Sequence, residues 1–499
     1  MLELTAFISG AVLLALEIIA SRIIAPYFGN SIYVWGSLIG VFLGALAVGY
    51  FLGGIAADRW PSRTVFSGVV FVAGALVMFI PAVAPRLLDA IGLADLGPRV
   101  SPLMAALALF FLPGVVMGMV SPFAVRLRAQ TVATIGNVAG MLYALSTVGS
   151  ITGTLLASFV LIAVMGLSQI VYVLGGTLLV LAMVGWLHGR RIGTAVGGAV
   201  ASVLLAVSLP LASSPPPEMI RFVKDTVYHR ITVSDEFQIR YLKLDNYWQS
   251  GLDLTEPRRT VFGYSDYLHL PLLFRPDARR VLIVGLGGGT VPARYHQDYG
   301  NLRVDVVELD PVVIRVSRRY FGVPSDDRLR SVAQDGRLYI ARTSERYDIV
   351  LLDAYLIDTI PFHLATSEFY QVVKAALTPG GVVGSNIIGA LSGPRSALFR
   401  AMYKTFREVF ATVYVFPVDW RRYGGPESLR NIIVIGTDRP ALSMQDILAA
   451  AERAAQTPGV TLPRFLDAAG DLYSEPIPTS DVPLLTDDYA PVELLIQRR

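Results

Sequence analysis

Seven long apolar runs near the start of the chain constrain its fold more than any other feature. They lie at about residues 5–27, 33–57, 65–85, 102–122, 136–163, 168–187 and 192–212. Each run has the length of about 20 residues that an α-helix needs to cross the hydrocarbon core of a bilayer. Because backbone polar groups in lipid must be satisfied within the segment, such runs fold as helices. We therefore predict a polytopic α-helical membrane domain of about seven spans over residues 1–212.

The distribution of charge separates the chain into two parts of different character. Only 16% of the 499 residues are charged, whereas soluble proteins average about 25%. The first lysine is Lys224, and the sequence beyond Ser213 has the composition of a soluble domain. The net charge of +3 is too small to indicate a nucleic-acid partner. The chain has no cysteine, which excludes disulfides, thiolate metal sites and cysteine nucleophiles.

These features predict an integral protein of the cell inner membrane, with the lipid bilayer as a partner. With seven spans, the arginines that flank the helices place the C-terminal domain outside the cytoplasm by the positive-inside rule. A domain that uses a cytosolic nucleotide-like cofactor belongs inside, however, and large domains follow the rule poorly. Basic residues soon after the last span, such as Arg221 and Lys224, also weaken the contrast. We therefore expect a cytoplasmic C-terminal domain.

Beyond the membrane domain the pattern becomes that of an α/β fold. Residues 213–227, with a Ser-Ser-Pro-Pro-Pro run, predict a linker, and alternating short strands predict a small β-rich domain over 228–280. From 281 to 499, helical segments alternate with apolar strands, as in an open parallel sheet. The predicted strands are 281–284, 304–309, 329–333, 347–352, 381–387 and 431–435. We predict a Rossmann-like domain there.

The stretch Val281–Thr290 carries the strongest chemical signal in this domain. Four apolar residues predict a buried strand, and the glycines that follow let the backbone turn tightly and approach a ligand. These glycines are Gly285, Gly287 and Gly289. The next predicted strand places Glu308 about 20 residues further on, where a doubly wound fold has a carboxylate that binds ribose hydroxyls. This half of the chain is therefore predicted to bind a nucleoside-like cofactor.

Two more carboxylates follow strands of the same predicted sheet. Asp335, followed by Gly336, can accept a hydrogen bond from an adenine amino group, and Asp353 follows the next strand. Open α/β sheets bind ligands at these carboxyl ends. Any one of these acids could be only a turn or cap residue. Together they form the pattern of enzymes that use S-adenosylmethionine.

Motifs around this core resemble those of the spermidine synthase (aminopropyltransferase) family, in its membrane-fused bacterial form. Residues 244–249 resemble the L-D-G-x-x-Q of the family, and residues 264–271 resemble its Y-H-E-x-L-x-H-P. Glu368-Phe-Tyr370 matches its E-F-Y. The resemblance covers about residues 228–420. It implies transfer of the aminopropyl group of decarboxylated S-adenosylmethionine to putrescine, with release of methylthioadenosine.

The resemblance also implies roles for individual residues. Gln249 and Tyr264 would line the cofactor and amine site. Glu308 would hold the ribose and Asp335 the adenine. Asp353 would orient the attacking amine or accept its proton, since an amine attacks only when it is deprotonated. The co-substrate would be S-adenosylmethionine or its decarboxylated form, the acceptor a small amine or another small molecule, and no metal is expected.

The loop after Asp353 supplies further candidates for catalysis. Tyr355, Asp358 and His363 could line the acceptor pocket, and His363, one of five histidines, could act as a base. His363 could equally cap the next helix or fill a gap. The acids of Thr486–Glu493 could reach the site or only close the fold.

Several positions depart from the family pattern. Gly288 stands where the family has the aspartate that pairs with the ammonium group of the decarboxylated co-substrate. Ser265 and Asp266 replace the His and Glu of Y-H-E, and Leu356 replaces the second aspartate of D-S-x-D. A carboxylate at position 288 would repel the carboxylate of intact S-adenosylmethionine. We therefore hypothesise that the chain uses intact S-adenosylmethionine, or an acceptor other than putrescine.

Two other functions stay open at this point. One is an enzyme that transfers a methyl group, or that cleaves S-adenosylmethionine without an acceptor. The other is a transporter or sensor whose soluble domain only binds a nucleoside, with Glu17 and Arg22 of the first span as its polar groups. Residues 53–59 resemble a loop of major-facilitator transporters. A homodimer is also open, although the membrane helices could replace the contacts that soluble family members make.

Overall fold

The structure, a computed structural model, describes most of the chain. The described residues are 1–28, 31–94, 96–129, 131–188, 219–226, 228–355, 360–456 and 465–496. The chain divides into two compact units, Met1–Pro217 with Lys224–Arg230 and Glu218–Val223 with Ile231–Arg499. The seventh apolar run and the Pro-rich part of the predicted linker lie outside the described residues.

The first unit contains, among the described residues, six helices that are long and apolar enough to cross a membrane. They are α1 (Leu2–Phe28), α2 (Ile32–Arg59), α3 (Arg63–Ala94), α4 (Arg99–Arg128), α5 (Ile135–Leu161) and α6 (Leu167–Leu187). These helices coincide with the first six apolar runs, so the helical fold predicted for this unit is confirmed there. Helices α4 and α5 each include one π-helical turn, at Leu107–Phe111 and Ala157–Leu161.

Helices α1 and α5 pack at backbone distance through glycines. A Cβ atom at Gly149 would overlap the carbonyl oxygen of Phe7, and one at Gly153 would overlap that of Ala11. The hydroxyl of Ser150 donates a hydrogen bond to the carbonyl oxygen of Gly10 at 3.2 Å. Small residues that let helix backbones approach are the usual basis of helix association in lipid. Gly149 and Gly153 therefore allow the backbones of α1 and α5 to lie in contact.

We expect Gly153→Leu to destabilise the first unit strongly. The new side chain would meet the α1 backbone, so the two helices must separate, and overpacking of this kind costs about 3 kcal/mol or more. Gly140→Leu is the matched control, because Gly140 lies on the same helix with open space around its Cα. Thermal melting of the full-length protein in detergent separates the two variants. Equal melting temperatures would contradict the packing described for α1 and α5.

Charged residues of the first unit make contacts within that unit. Arg22 donates a hydrogen bond to the carbonyl oxygen of Tyr228 at 2.7 Å. Asp58, in the segment that resembles a transporter loop, accepts one from Arg126 of α4 at 2.8 Å. These two hydrogen bonds give Arg22 and Asp58 structural roles that do not require a transported ligand.

A small four-stranded sheet opens the soluble part of the chain. Its strands are β1 (Ile220–Asp225), β2 (Arg230–Glu236), β3 (Ile239–Leu244) and β4 (Tyr247–Asp253), paired in that order. Strands β2 to β4 match the predicted small sheet, and both of their pairings are antiparallel. Strand β1 occupies residues that the sequence assigns to the linker. It lies at the edge with no fully buried side chain, so its alternating pattern is weak.

The second sheet has seven strands and is mixed. The strands are β5 (Arg280–Val284), β6 (Arg303–Glu308), β7 (Leu329–Ala333), β8 (Tyr347–Leu352), β9 (Leu377–Gly389), β10 (Thr412–Pro417) and β11 (Arg430–Thr437). Their order is β10-β11-β9-β8-β5-β6-β7. The neighbouring pairs among β5 to β9 are parallel, but β11 runs antiparallel to both β9 and β10. The parallel sheet predicted from the alternation of strands and helices is therefore present in β5 to β9, and the antiparallel strands β10 and β11 extend it at one edge.

Helices cover both faces of the seven-stranded sheet. The longer ones are α7 (Thr290–Asp298), α8 (Pro311–Phe321), α9 (Gly336–Arg342), α10 (Ser367–Ala376), α11 (Ala397–Val409), α12 (Met444–Ala455) and α13 (Phe465–Gly470). Along β5, Val281 and Ile283 belong to one apolar core, whereas Leu282 and Val284 belong to the other. This alternation is that of a sheet buried on both faces. The Rossmann-like fold is confirmed, and it brings the carboxyl ends of β5, β6, β8 and β9 to one edge.

Candidate active site

The glycine-rich turn after β5 brings its backbone against the end of β8. Gly285 has a φ of +98°, and a Cβ atom there would overlap the carbonyl oxygen of Asp353. Gly287 and Gly289 also have positive φ angles, of 53° and 80°. Left-handed backbone and close approach both require glycine here. The ends of β5 and β8 are therefore joined at the point where a ligand of this fold would bind.

Asp353 lies at the centre of this edge. Its Oδ1 accepts a hydrogen bond from Nδ2 of Asn386, near the end of β9, at 2.9 Å. The hydroxyl of Tyr264 also hydrogen-bonds to this carboxylate. Burial raises the pKa of Asp353 to about 6, although both hydrogen bonds act in the opposite direction. A carboxylate of this pKa is ionised at neutral pH and is a stronger base than an exposed aspartate.

Tyr264 is the first residue of a short helical turn, Tyr264–Tyr267, which lies between β4 and β5 along the chain. Burial, and then the negative charge of Asp353, raise the pKa of this phenol. The phenol therefore stays protonated over the working pH range and donates its proton in the hydrogen bond with Asp353. The two side chains that the resemblance assigns to the amine site are thus in contact.

Strand β4 brings the small sheet to the glycine-rich turn. Oγ of Ser250 accepts a hydrogen bond from the backbone N–H of Gly288 at 2.8 Å. Gln249, the residue before it, is half-buried on the same strand. The structure therefore places Gln249 next to a residue that contacts the turn, while its role toward a ligand stays a prediction.

Glu308 and Asp335 follow β6 and β7 as the sequence predicts. The carboxylate of Glu308 accepts hydrogen bonds from the backbone N–H groups of Leu286 and Asp310, at 3.0 and 2.9 Å. Asp335 caps helix α9, because its Oδ1 accepts from the N–H of Leu338 at 2.9 Å. An ionised carboxylate offers about four lone pairs, so each could also bind a ligand hydroxyl or amino group.

Gly336, the first residue of α9, is buried against β5. A Cβ atom at this position would overlap the side chain of Val284. The glycine therefore lets the start of the helix approach the end of the strand.

The loop residues predicted for catalysis occupy different places. Tyr355 donates to the backbone carbonyl oxygen of Asn386 at 2.8 Å and accepts from the N–H of Ile388 at 2.9 Å, so it anchors the loop to β9. Nε2 of His363 lies 3.3 Å from Oδ2 of Asp335. Its polar side-chain contact in the structure is therefore with Asp335 and not with Asp353. Asp358 lies outside the described residues.

The C-terminal acids join this loop to the fold. Asp487 forms an ion pair with Arg337 and accepts a hydrogen bond from Thr366 at 2.7 Å. Arg337 also donates to the carbonyl oxygen of His363 at 3.0 Å. The contacts of Asp487 with Arg337 and Thr366 are those expected of an acid that closes the fold.

Three side chains of the site have no counterpart among the predicted residues: Ser250, Asn386 and Asn431. Nδ2 of Asn431, on β11, donates to Oδ1 of Asn386 at 3.0 Å. An amide side chain near the carboxyl end of the mostly apolar strand β9 is a signal that could have indicated Asn386. Asn431 could not be found that way, because its contact depends on β11 lying beside β9.

A small, mostly apolar cavity adjoins Asn386. Its lining residues are Val284, Leu352, Ala354, Ile360, Leu364, Phe369, Ser385 and Asn386. No group of three or more His, Asp or Glu side chains is placed to hold a metal in the part of the chain that the structure describes. At this edge, Asp353 with its phenol and amide partners offers a group that can accept a proton.

Comparison with known proteins identifies the family of this chain. Residues 261–426 match the family model of the spermine/spermidine synthase domain. A polyamine aminopropyltransferase from Vibrio vulnificus is 31% identical over 244 residues, which are 48% of this chain and 77% of that protein. The chain belongs to this family. It is accordingly a transferase, with apolar N-terminal helices in addition to the family domain.

Two further relatives show the range of proteins that are similar to this chain. The human eEF1A lysine and N-terminal methyltransferase is 30% identical over 147 residues, which cover 27% of this chain and 20% of that protein. The solved structure of a probable spermidine synthase from Corynebacterium glutamicum aligns with 54% of this chain and all of that one. Its TM-score is 0.41 and its identity is 21%.

The pKa of Asp353 predicts the pH dependence of this transferase. We expect kcat/KM to rise with pH through about 6, since Asp353 can take a proton from the acceptor only when it is ionised. Below this pH, kcat/KM should fall about tenfold per pH unit. This fall is the acid limb of the pH profile. Rates from pH 5 to 9, measured with acceptors of different amine pKa, separate the acid limb from the titration of the acceptor. If protonation of Asp353 does not lower kcat/KM between pH 7 and 5, its pKa lies in the ordinary range of an aspartate, about 4, and the buried environment of Asp353 is contradicted.

Proposed function

We propose that the chain is a membrane-anchored aminopropyltransferase-like enzyme. It takes S-adenosylmethionine or the decarboxylated form as co-substrate and a small amine or another small molecule as acceptor. It releases methylthioadenosine. The observation that carries the proposal is the contact of Asp353 with Tyr264 and Asn386 at the edge where the glycine-rich turn meets β8.

The proposed step uses this arrangement directly. The lone pair of the acceptor nitrogen forms a bond with the carbon of the propyl chain that is attached to the sulfonium sulfur. The transferred group is aminopropyl from the decarboxylated co-substrate and aminocarboxypropyl from the intact one. The carbon–sulfur bond breaks, and its electrons neutralise the sulfur. The new ammonium group loses a proton to Asp353, which a raised pKa makes a better general base. The backbone of the turn and the carboxylate of Glu308 would hold the nucleoside part of the co-substrate.

The surroundings of Gly288 bear on which co-substrate is used. A Cβ atom at this position would lie 2.7 Å from Cβ of Ser250 and 3.0 Å from the ring of Phe321. The aspartate that the family motif has here therefore does not fit unless Ser250 changes. The absence of that carboxylate removes a repulsion from the carboxylate of intact S-adenosylmethionine. This supports the proposal that the intact form is accepted.

The pair Ser250 and Gly288 gives a test of co-substrate choice. We expect Gly288→Asp alone to lose activity with both co-substrates, because the side chain overlaps Ser250. The double variant Ser250→Gly, Gly288→Asp has room for the carboxylate and should prefer the decarboxylated form by about tenfold or more. Ser250→Gly alone is the control and should keep the preference of the wild type. The measurement is kcat/KM for each co-substrate, and an unchanged preference in the double variant would contradict this account.

A second candidate function is methyl transfer, which the human methyltransferase relative favours. The product distinguishes the two reactions. Methyl transfer leaves S-adenosylhomocysteine, aminopropyl transfer leaves methylthioadenosine, and cleavage without an acceptor leaves methylthioadenosine with a lactone-like fragment. Mass spectrometry of reactions with each co-substrate, with and without putrescine, identifies the product. S-adenosylhomocysteine as the main product would overturn the proposal in favour of methyl transfer.

The six apolar helices support a bilayer as partner of the enzyme. We propose that they anchor it in the cell inner membrane with the soluble unit in the cytoplasm, where the co-substrate is made. A lipid-soluble acceptor would explain why the enzyme needs a membrane. Homodimer formation through either unit is a further part of this proposal.

A further inference from the structure

Two asparagines form a line of hydrogen bonds behind Asp353. Asn386 lies near the end of β9 and is almost fully buried, with 3% of its surface exposed. In the antiparallel pair of β9 and β11, Asn386 is opposite Ile433 and Asn431 is opposite Ile388. Asn386 and Asn431 are therefore diagonal neighbours on one face of the sheet, close enough for their side chains to meet.

The chemistry of these groups fixes the direction of the hydrogen bonds. An ionised carboxylate only accepts, so the atom of Asn386 that lies 2.9 Å from Asp353 must be its amide nitrogen. Its amide oxygen then faces Asn431, and the group 3.0 Å away on Asn431 must donate. Asn431 thus determines which end of the Asn386 amide is presented to Asp353.

We propose that Asn431 is a positioning residue for the transfer reaction, acting on Asp353 only through Asn386. This inference rests on the proposed role of Asp353 as the group that receives the proton of the acceptor. With Asn431 in place, Asn386 donates to Asp353 and stabilises the ionised form that can take the proton. Without that donor, the buried oxygen of Asn386 loses its partner. The amide can then turn and present this oxygen to Asp353, which favours the protonated carboxyl.

Among the residues that the structure describes, the titratable groups placed around Asp353 are phenols. Tyr264 hydrogen-bonds to it from the turn before β5, and Tyr355 lies beside it on the same loop. Tyr370 of α10 in turn faces Tyr355. Burial is the largest cause that raises the pKa of each of these phenols, so they stay neutral between pH 5 and 9. A shift in the titration of Asp353 within that range therefore reports on its amide partner.

The test is a double-mutant cycle on the full-length protein in detergent. The variants are Asn431→Leu, Asn386→Leu and the combination, and the readout is the acid limb of kcat/KM against pH. We expect Asn431→Leu to move this limb upward by about one pH unit, since hydrogen bonds to the ionised form lower a pKa by amounts of this order. Rates above pH 8 should change little. In the Asn386→Leu background, Asn431→Leu should shift the limb no further.

Thr437→Val is the matched control for the loss of a buried polar group on β11. Thr437 lies at the other end of that strand, where it donates to the carbonyl oxygen of Gly381 at 3.1 Å. Thr437→Val should leave the acid limb of kcat/KM at the pH of the wild type. A general structural disturbance of β11 is thereby distinguished from a change at Asp353. Asn431→Ala, which adds no bulk, replaces the leucine variant if that variant does not fold. The inference is overturned if the limb stays in place in Asn431→Leu, or if it shifts equally with and without Asn386.

An infrared titration separates this inference from the proposed function. The carboxyl band of Asp353, assigned by its loss in Asp353→Asn, reports the protonation of this residue without turnover. A wild type that makes no product but whose band midpoint moves upward in Asn431→Leu would reject the proposed function and retain the positioning role. An active wild type whose midpoint does not move in Asn431→Leu would reject the positioning role alone.

Discussion

Asp353→Asn is expected to reduce turnover by about 10²- to 10⁴-fold, the range that a positioned general base contributes. The asparagine is close in shape and can still contact Tyr264 and Asn386, but it cannot take a proton from the acceptor. Because the nucleoside part of the co-substrate would be held by the turn and Glu308, its affinity should change much less than kcat. Stopped assays for methylthioadenosine, with a separate titration of co-substrate binding, measure both quantities.

Asp438→Asn is a suitable control for this variant. Strand β8 runs parallel to β9, whereas β11 runs antiparallel to β9. Asp438, just after β11, therefore lies at the opposite edge of the sheet from Asp353, which follows β8. It forms a half-exposed ion pair with Lys374 at 2.8 Å, and such pairs contribute little to stability. Because exposed ion pairs contribute little to stability, we expect Asp438→Asn to keep an activity within about twofold of the wild type. If Asp353→Asn kept similar activity, Asp353 would not be the base.

Gly285→Ala is expected to have the second large effect, on stability and activity together. The methyl group would overlap the carbonyl oxygen of Asp353, and the φ of +98° is strained for any other residue. Backbone strain of this type costs about 1–3 kcal/mol, and the overlap adds to it. The turn must then move away from β8, which displaces Asp353, the base of the proposed reaction.

Gly300→Ala controls for the general effect of adding a methyl group to this part of the chain. Gly300 follows α7, is exposed and has open space around its Cα. We expect its melting temperature and kcat to match those of the wild type, whereas Gly285→Ala lowers both. Wild-type activity in Gly285→Ala would show that the turn and β8 are not packed as described here.

The fold followed from the sequence where periodicity and length are strong signals. Six apolar runs became helices, and the strands β5 to β9 lie within a few residues of their predicted bounds. The edge strands β1 and β10 were not predicted. Strand β1 has no fully buried side chain and so only a weak alternating pattern, whereas β10 is a short strand of six residues, four of them buried. The antiparallel direction of β11 was also missed, since direction depends on the path of the connection and not on the composition of the strand.

The candidate site could be predicted only as far as its residues follow strands. Glu308, Asp335 and Asp353 lie at or just beyond the carboxyl ends of parallel strands, and a rule of the fold places such residues at one edge. Contacts between side chains obey no such rule. His363 lies against Asp335, and Ser250 reaches the turn from another sheet, through loop geometry that the sequence does not reveal.

Isotope tracing of the transferred group tests the central claim most directly. The full-length protein would be incubated with decarboxylated or intact S-adenosylmethionine that carries ¹³C in the propyl carbons, with putrescine and with a membrane lipid extract as acceptors. We predict that methylthioadenosine is released without the label, that the label appears in an acceptor, and that Asp353→Asn suppresses both products. Label that stays with the nucleoside while the acceptor gains a methyl group would contradict aminopropyl transfer.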